Sequence, residues 1–355
     1  MNVTILSPSS DPPSRMKWQF ILLFLLLGLV LMFAINLSLG SVSISAQDIF
    51  SYFIGSEIKS TDYVILDKFR LPKAITAILV GSSLGISGLQ MQTLFRNPLA
   101  GPYVLGISSG AGLGVAIAIF LGFYFGGFVE LSGIGRSWLL VVASAVGSFL
   151  VLMVIVLASI RIRDSVSLLI IGLMFGAASG ALVSILQFFS QSENIQAYVV
   201  WSFGSLGSLS WIELQVFIPL LLLGLLGCLL LSKPLNALLI GENYAVSIGL
   251  NIKLTRFLII LNTSILAGTV TAFCGPIAFF GIAMPHLTRM LFNTSNHLLL
   301  TPLIILSGGL LMLLFDTISQ LPGVEATLPI NAVTSLFGAP FVIYLLLRKK
   351  SLNFS

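Results

Sequence analysis

The sequence predicts an all-α integral membrane protein of about ten transmembrane helices, and three observations carry that prediction. Hydrophobic residues make up 57% of the 355 residues and charged residues only 8%, against roughly 25% charged in a typical soluble domain. The charges gather in short clusters separated by apolar runs at least as long as the ~20 residues a spanning helix needs. These runs are continuous, without the in/out alternation of a barrel strand. Finally, both tails are basic, with Arg15 and Lys17 before the first run and Arg348, Lys349 and Lys350 after the last, which assigns both termini to the cytoplasm.

Taken in order, the runs lie between Lys17 and Asp48, Lys73 and Arg96, Arg96 and Glu130, Arg136 and Arg161, and Asp164 and Glu193. They continue between Glu213 and Lys233, Arg256 and Arg289, Arg289 and Asp316, and Glu325 and Arg348. Nine spans would leave the basic tails on opposite sides. The Arg256–Arg289 run is too long for one helix, and Gly275-Pro276 breaks it near the middle. Dividing it there gives ten spans and returns both tails inside. Arg15, Lys17, Arg96, Arg161, Arg163, Lys233, Lys253, Arg256, Arg289 and Arg348 to Lys350 then fall inside. Lys59, Lys68, Arg70, Lys73 and Arg136 fall outside, the bias that the positive-inside rule demands.

The chain reads as a single transmembrane domain over residues 1–355, with residues 1–16 a short polar cytoplasmic tail. The first run is too long for a secretory signal and lacks a small-residue cleavage site. The longest hydrophilic segment, Asp48 to Lys73, is an external connection. The net charge of +5 follows from the inside-loop bias and implies no nucleic-acid partner. Cys228 and Cys274 lie in separate apolar spans, without metal-type spacing, and read as small buried hydrophobes.

Within the spans, small residues recur at helical spacing. Gly81 and Gly85, Gly110 and Gly114, and Gly172, Gly176 and Gly180 form ridges that let helix backbones approach closely. Gly101-Pro102-Tyr103-Val104-Leu105-Gly106-Ile107 is echoed by Gly275-Pro276-Ile277-Ala278-Phe279-Phe280-Gly281-Ile282. The ten-span topology puts the first at the inner face and the second at the outer face, as an inverted repeat would.

Enzyme chemistry finds little support. His286 and His297 have no carboxylate or cysteine near them in sequence, and neither H-E-x-x-H nor G-x-S-x-G occurs. No Gly-x-x-x-x-Gly-Lys-Ser/Thr sequence occurs either, so the chain carries no P-loop of its own. Ion-coupled secondary transport would place an ionisable residue within the membrane. Asp316 is the deepest candidate, with Thr317, Ser319 and Gln320 beside it; a helix-end residue is the plainer reading. The segment Ser232 to Arg256 follows a span ending at Leu231. Pro234 suits the first turn of a short helix, Gly241-Glu242 a turn, and Tyr244 to Ile248 a second short helix ended by Gly249. Such a knob on the cytoplasmic face suggests a docking surface for a soluble partner.

Four blocks resemble the FecCD family of ABC-transporter permeases, in order and spacing, over almost the whole chain. They are the Arg70–Gly114 stretch (RLPKAITAILVGSSLGISGLQMQTLFRNPLAGPYVLGISSGAGLG), the Lys233–Gly249 knob, Gly275 through Arg289 (GPIAFFGIAMPHLTR), and Leu328-Pro329-Ile330-Asn331 through Gly338-Ala339-Pro340-Phe341. The resemblance implies a vitamin B12 and iron-chelate importer permease in a bacterial cytoplasmic (inner) membrane. It implies a dimer of permeases, expected to be a homodimer, two cytoplasmic ATPase subunits and one external substrate-binding protein. ATP and Mg would be held by the ATPases and no cofactor by this chain. The cargo it implies is a ferric siderophore or related iron chelate, with vitamin B12 or haem as alternatives.

The family's coupling helices fall on Lys233, Pro234, Asn236, Gly241, Glu242 and Gly249. Its outer basic residues, which pair with acidic residues of the binding protein, fall on Arg70 and Lys73. Its pathway falls on the fifth and tenth spans, near Gly172–Gln187 with Gly172, Gly176 and Gly180, and near Asn331–Leu346. Ser165 lies near the inner gate. The sequence departs from the pattern at Gln320, where some members are basic, at Thr327, often acidic, and at Asn331, usually glycine.

Overall fold

The computed structural model describes residues 15–122, 134–162, 165–320 and 327–347, whose regular structure is all helical, without a strand. Ten helices correspond to the expected spans: α1 (Arg15–Ser38), α4 (Leu71–Phe95), α5 (Ile107–Gly122), α6 (Ile134–Arg161), α7 (Ser165–Phe188), α9 (Trp211–Ile240), α11 (Ile252–Cys274), α12 (Phe280–Phe292), α13 (His297–Ser319) and α14 (Ile330–Leu347). Seven of them contain a membrane-length apolar window; α5, α12 and α14 are shorter. Four short helices lie between them: α2 (Ala46–Phe53), α3 (Ser60–Ile65), α8 (Ser192–Ser202) and α10 (Glu242–Ser247). The tail residues 1–14, Arg163, Glu325 and Arg348 to Lys350 lie outside the described residues.

Local signals set many boundaries. Ser45 accepts from the Asp48 amide at the start of α2, and Asn251 and Asn296 cap α11 and α13 in the same way. Ser210 and Glu213 form a reciprocal capping box at the start of α9. Gly275 ends α11 at φ 75°, a conformation open to glycine, and Pro276 follows it.

Helix α4 is the centre of the bundle, packed against α9, α11, α12 and α13. Of its most apolar window, 83% is buried within the chain, against 11% for α1, whose Phe20, Phe24 and Leu27 point outward. The close packing comes from small residues, those of the predicted ridges and Gly88 besides. A Cβ at Gly81 would overlap the Gly308 carbonyl of α13, and one at Gly88 the Gly281 carbonyl of α12. Gly110 and Gly114 meet Ala143 and Gly147 of α6 in the same manner.

The bundle has two distinct ends. At one, Arg96 at the end of α4 donates to the Leu238 carbonyl of α9, and Arg256 of α11 meets Glu242; this is the Glu242 end. At the other, Arg70 meets the end of α1, and Trp211 Nε1 donates to the Asp67 carbonyl; this is the Arg70 end.

Two expectations need correction and one is extended. The two Gly-Pro segments start at opposite ends of the bundle, as expected. One enters after α4 from the Glu242 end, the other after α11 from the Arg70 end, and they meet inside, where the Ile277 amide donates to the Tyr103 hydroxyl (3.0 Å). The segment Asp48 to Lys73 is not a plain connection: α3 runs through a π turn, Leu66–Arg70, directly into α4. And α9 does not end at Leu231; it continues through Pro234 to Ile240. Proline removes one ladder bond there, but Leu235 and Leu238 are buried and hold the extra turns against the bundle.

Candidate functional site

At the Glu242 end, Gly241 ends α9 with φ 150° and ψ 151°, and the chain turns into α10. That backbone region belongs to glycine, because a side chain would clash there. Two contacts fasten α10. Ala245 is fully buried in an apolar cluster with Leu235, Leu238 and Ile259. Glu242, in the first turn, meets Arg256 Nη2 at 2.5 Å. The opposite side of the knob is apolar and open, with Ile240, Tyr244, Val246 and Ile248 all exposed. Lys233 and Gly249 are exposed beside it.

Asn236 is half-buried and hydrogen-bonded within the chain. Its Oδ1 accepts from the His297 amide (2.8 Å) and lies 2.9 Å from His297 Nδ1, and its Nδ2 donates to Asn296 (2.8 Å). His297 Nε2 in turn lies 2.9 Å from Thr93 Oγ1 of α4. The base of the knob is thereby tied to the centre of the bundle. His297 was bare of motif in the sequence; its partners are 61 and 204 residues away.

At the Arg70 end, the two basic residues expected to face a binding protein have interior partners. Arg70 is buried, and its guanidinium donates to the carbonyls of Leu37 (2.5 Å), Ser38 (3.0 Å) and Val42. It satisfies carbonyls that the end of α1 leaves without helical partners. Lys73 Nζ lies 3.0 Å from Asp316 Oδ1, with side-chain exposures of 20% and 1%. Asp316 Oδ2 also accepts from Asn36 (2.9 Å) and Gln320 (2.8 Å). Asp316 is thus the centre of a junction joining α1, α4 and α13, and the neutral Gln320 is one of its donors.

Helix α7 packs on α5 and α6, α14 on α12 and α13, and within one chain the two share no extended contact. Ser165 opens α7 at the Glu242 end, near Leu168 of the cluster that holds Ala245. Along the ridge, Gly172 is buried against Gly106, Gly176 faces Ser109, and Gly180 has open space before it. A cavity of about 260 Å³ lies there, bounded by α5, α7 and α8, and a larger one of about 560 Å³ lies on the other flank of α8, lined by Glu193, Gln196 and Phe273 among others.

The model of the FecCD transport family matches residues 27–348. The hemin transport system permease protein HmuU of Yersinia pestis is 33% identical over 328 residues, covering 92% of this chain and 96% of that protein. The vitamin B12 import system permease protein BtuC of Klebsiella pneumoniae is 34% identical, covering 83% and 86%. A solved structure described as an inward-facing conformation of a putative metal-chelate type ABC transporter superposes with a TM-score of 0.81 at 32% identity, covering 93% of this chain and 99% of that one. This chain belongs to the FecCD transport family and is an ABC-importer permease.

Proposed function

We propose that this chain is the membrane subunit through which a ferric siderophore or related iron chelate enters the cytoplasm, driven by ATP hydrolysis in separate ATPase subunits. Two copies of the chain form the pathway between them, with α7 and α14 facing across it. The Glu242 end lies in the cytoplasm, in keeping with the basic residues Arg96, Lys233, Lys253, Arg256 and Arg289 that gather there. An external binding protein delivers the cargo to the Arg70 end.

The observation that carries this reading is the knob. Its inner side is fixed by Ala245 and the Glu242–Arg256 pair, while its outer side leaves four large apolar side chains uncovered. A face of that kind suits a protein partner, and a rigid root lets the partner's movement reach α4. The neutral small-residue wall of α7 supports a bulky cargo that needs no charged site. Metal chelates are favoured by the structural neighbour that spans 93% of this chain. Haem and vitamin B12 form the second reading, favoured by the named relatives.

The closed Asp316 junction argues against ion coupling, because its carboxylate already has a lysine and two amide donors. The test is reconstitution in lipid vesicles with a cognate ATPase and binding protein. ATP-dependent uptake of ferric siderophore, exceeding that of haemin and cyanocobalamin, is the expected result. Uptake by the chain alone on an ion gradient would refute the proposal.

A further inference from the structure

The 260 Å³ cavity between α5, α7 and α8 has an unusual lining. Gly112, Gly176 and Gly180 leave its walls smooth, and the hydroxyls of Ser108, Ser109, Ser179, Tyr198 and Ser202 and the indole N–H of Trp201 line it as groups able to donate. Ser179 is 2% exposed, and its Oγ has no hydrogen-bond partner. A serine within a helix ordinarily bonds back to the carbonyl four residues before it, as Ser184 does to Gly180 at 3.0 Å on the same helix. Ser108, Ser109, Tyr198 and Trp201 are partly exposed around it. Buried polar groups are normally satisfied, so the unmet Ser179 hydroxyl, with these polar groups around it, marks a place for an acceptor atom.

The walls also limit the ligand's charge and size. No Lys, Arg, Asp or Glu lines the cavity, which disfavours a strongly charged group and suits neutral or weakly anionic oxygens. The aromatic side is held in place, with Phe120 and Tyr198 ring centres 5.6 Å apart and those of Tyr198 and Trp201 6.0 Å apart. The volume falls below the ~300–1,000 Å³ that encloses a whole small-molecule ligand. It fits one arm of a larger one.

We infer that this cavity is a cargo-contact subsite that takes one carbonyl- or hydroxamate-bearing arm of the metal chelate, with Ser109, Ser179 and Tyr198 donating to its oxygens and Trp201 against its flat side. The inference rests on the importer reading above and narrows it to acceptor-rich chelates. A few neutral hydrogen bonds are strong enough to orient a passing cargo and weak enough to release it, as conduction requires.

The experiment measures binding of a ⁵⁵Fe-labelled ferric trihydroxamate to the full-length permease in detergent, without ATPase. Ser179→Ala combined with Tyr198→Phe is expected to weaken binding by about tenfold, and Gly180→Leu, which fills the cavity, to abolish it. Each variant must elute as a monodisperse species, and Ser179→Thr, which keeps the hydroxyl, is expected to bind within about twofold of the parent. In vesicles with the partner subunits, the double variant should raise KM for the trihydroxamate and leave kcat unchanged. Equal binding by the parent and Gly180→Leu would overturn the subsite, as would ATP-driven uptake by a parent permease that binds no chelate. Failure of ATP-driven uptake with binding intact would instead count against the importer reading.

Discussion

At the residue scale, the chemistry of this permease is mostly that of holding charge inside an apolar bundle. Lys73 and Asp316 are within 3.0 Å of each other with the carboxylate almost fully buried, so neither can be removed alone without leaving its partner unmatched. Lys73→Met is expected to destabilise the purified protein by about 3–5 kcal/mol, read as an earlier thermal unfolding midpoint in detergent. Adding Asp316→Asn to it should recover much of that loss; a double variant no better than the single one would show that the pair is not coupled. Arg70 has a similar role toward the end of α1. Glutamate at position 70 or 73 would therefore disturb the α1–α4–α13 junction, and weakened docking in such variants would not by itself identify a binding-protein contact.

At the element scale, α4 works as an axle whose small residues set the distances to its neighbours. Gly88→Val is expected to prevent accumulation of folded permease in the membrane, because the added side chain would fall on the Gly281 backbone of α12; a monodisperse peak in size-exclusion chromatography at parental yield would refute this. The knob is the complementary case, a short helix stabilised by a buried alanine and one ion pair. Glu242→Ala is expected to leave the permease folded and ATP hydrolysis by its partner intact while lowering the cargo moved per ATP. An unchanged transport stoichiometry would remove Glu242 from the coupling route. Asn236→Leu should give a similar loss through the His297–Thr93 connection, since it cuts the knob from the axle without altering its outer face.

For the whole molecule, the exposed side of α7 is the face that the proposed second copy of this chain would cover. Ile170, Met174, Leu182 and Ile185 are uncovered there, with Gly180 open between them. Gly180→Cys is expected to give a covalent dimer with a bis-maleimide long enough to span the pathway in native membranes, while the buried Cys228 and Cys274 do not react. Monomer alone under those conditions would refute the arrangement. The Gly-Pro segments that meet at Tyr103 and Ile277 place irregular backbone inside the bundle, where membrane proteins tolerate it because neighbouring helices satisfy its polar groups.

Spans, their number, the break at Gly275-Pro276 and the glycine ridges were legible from residue order, because the bilayer enforces helix length and apolarity one segment at a time. The family blocks and the Gly241-Glu242 knob were legible for the same local reason. Partner identity was not. That Arg70 caps α1, that Lys73 neutralises Asp316, that Asn236 bonds to His297 and that Ser179 is left unmet beside a cavity all depend on residues far apart in the chain. Pro234 shows the same limit: local propensity favours a break, and burial of Leu235 and Leu238 overrides it. A linear pattern fixes which segments cross the membrane; which side chains find each other across helices is settled only when the bundle packs.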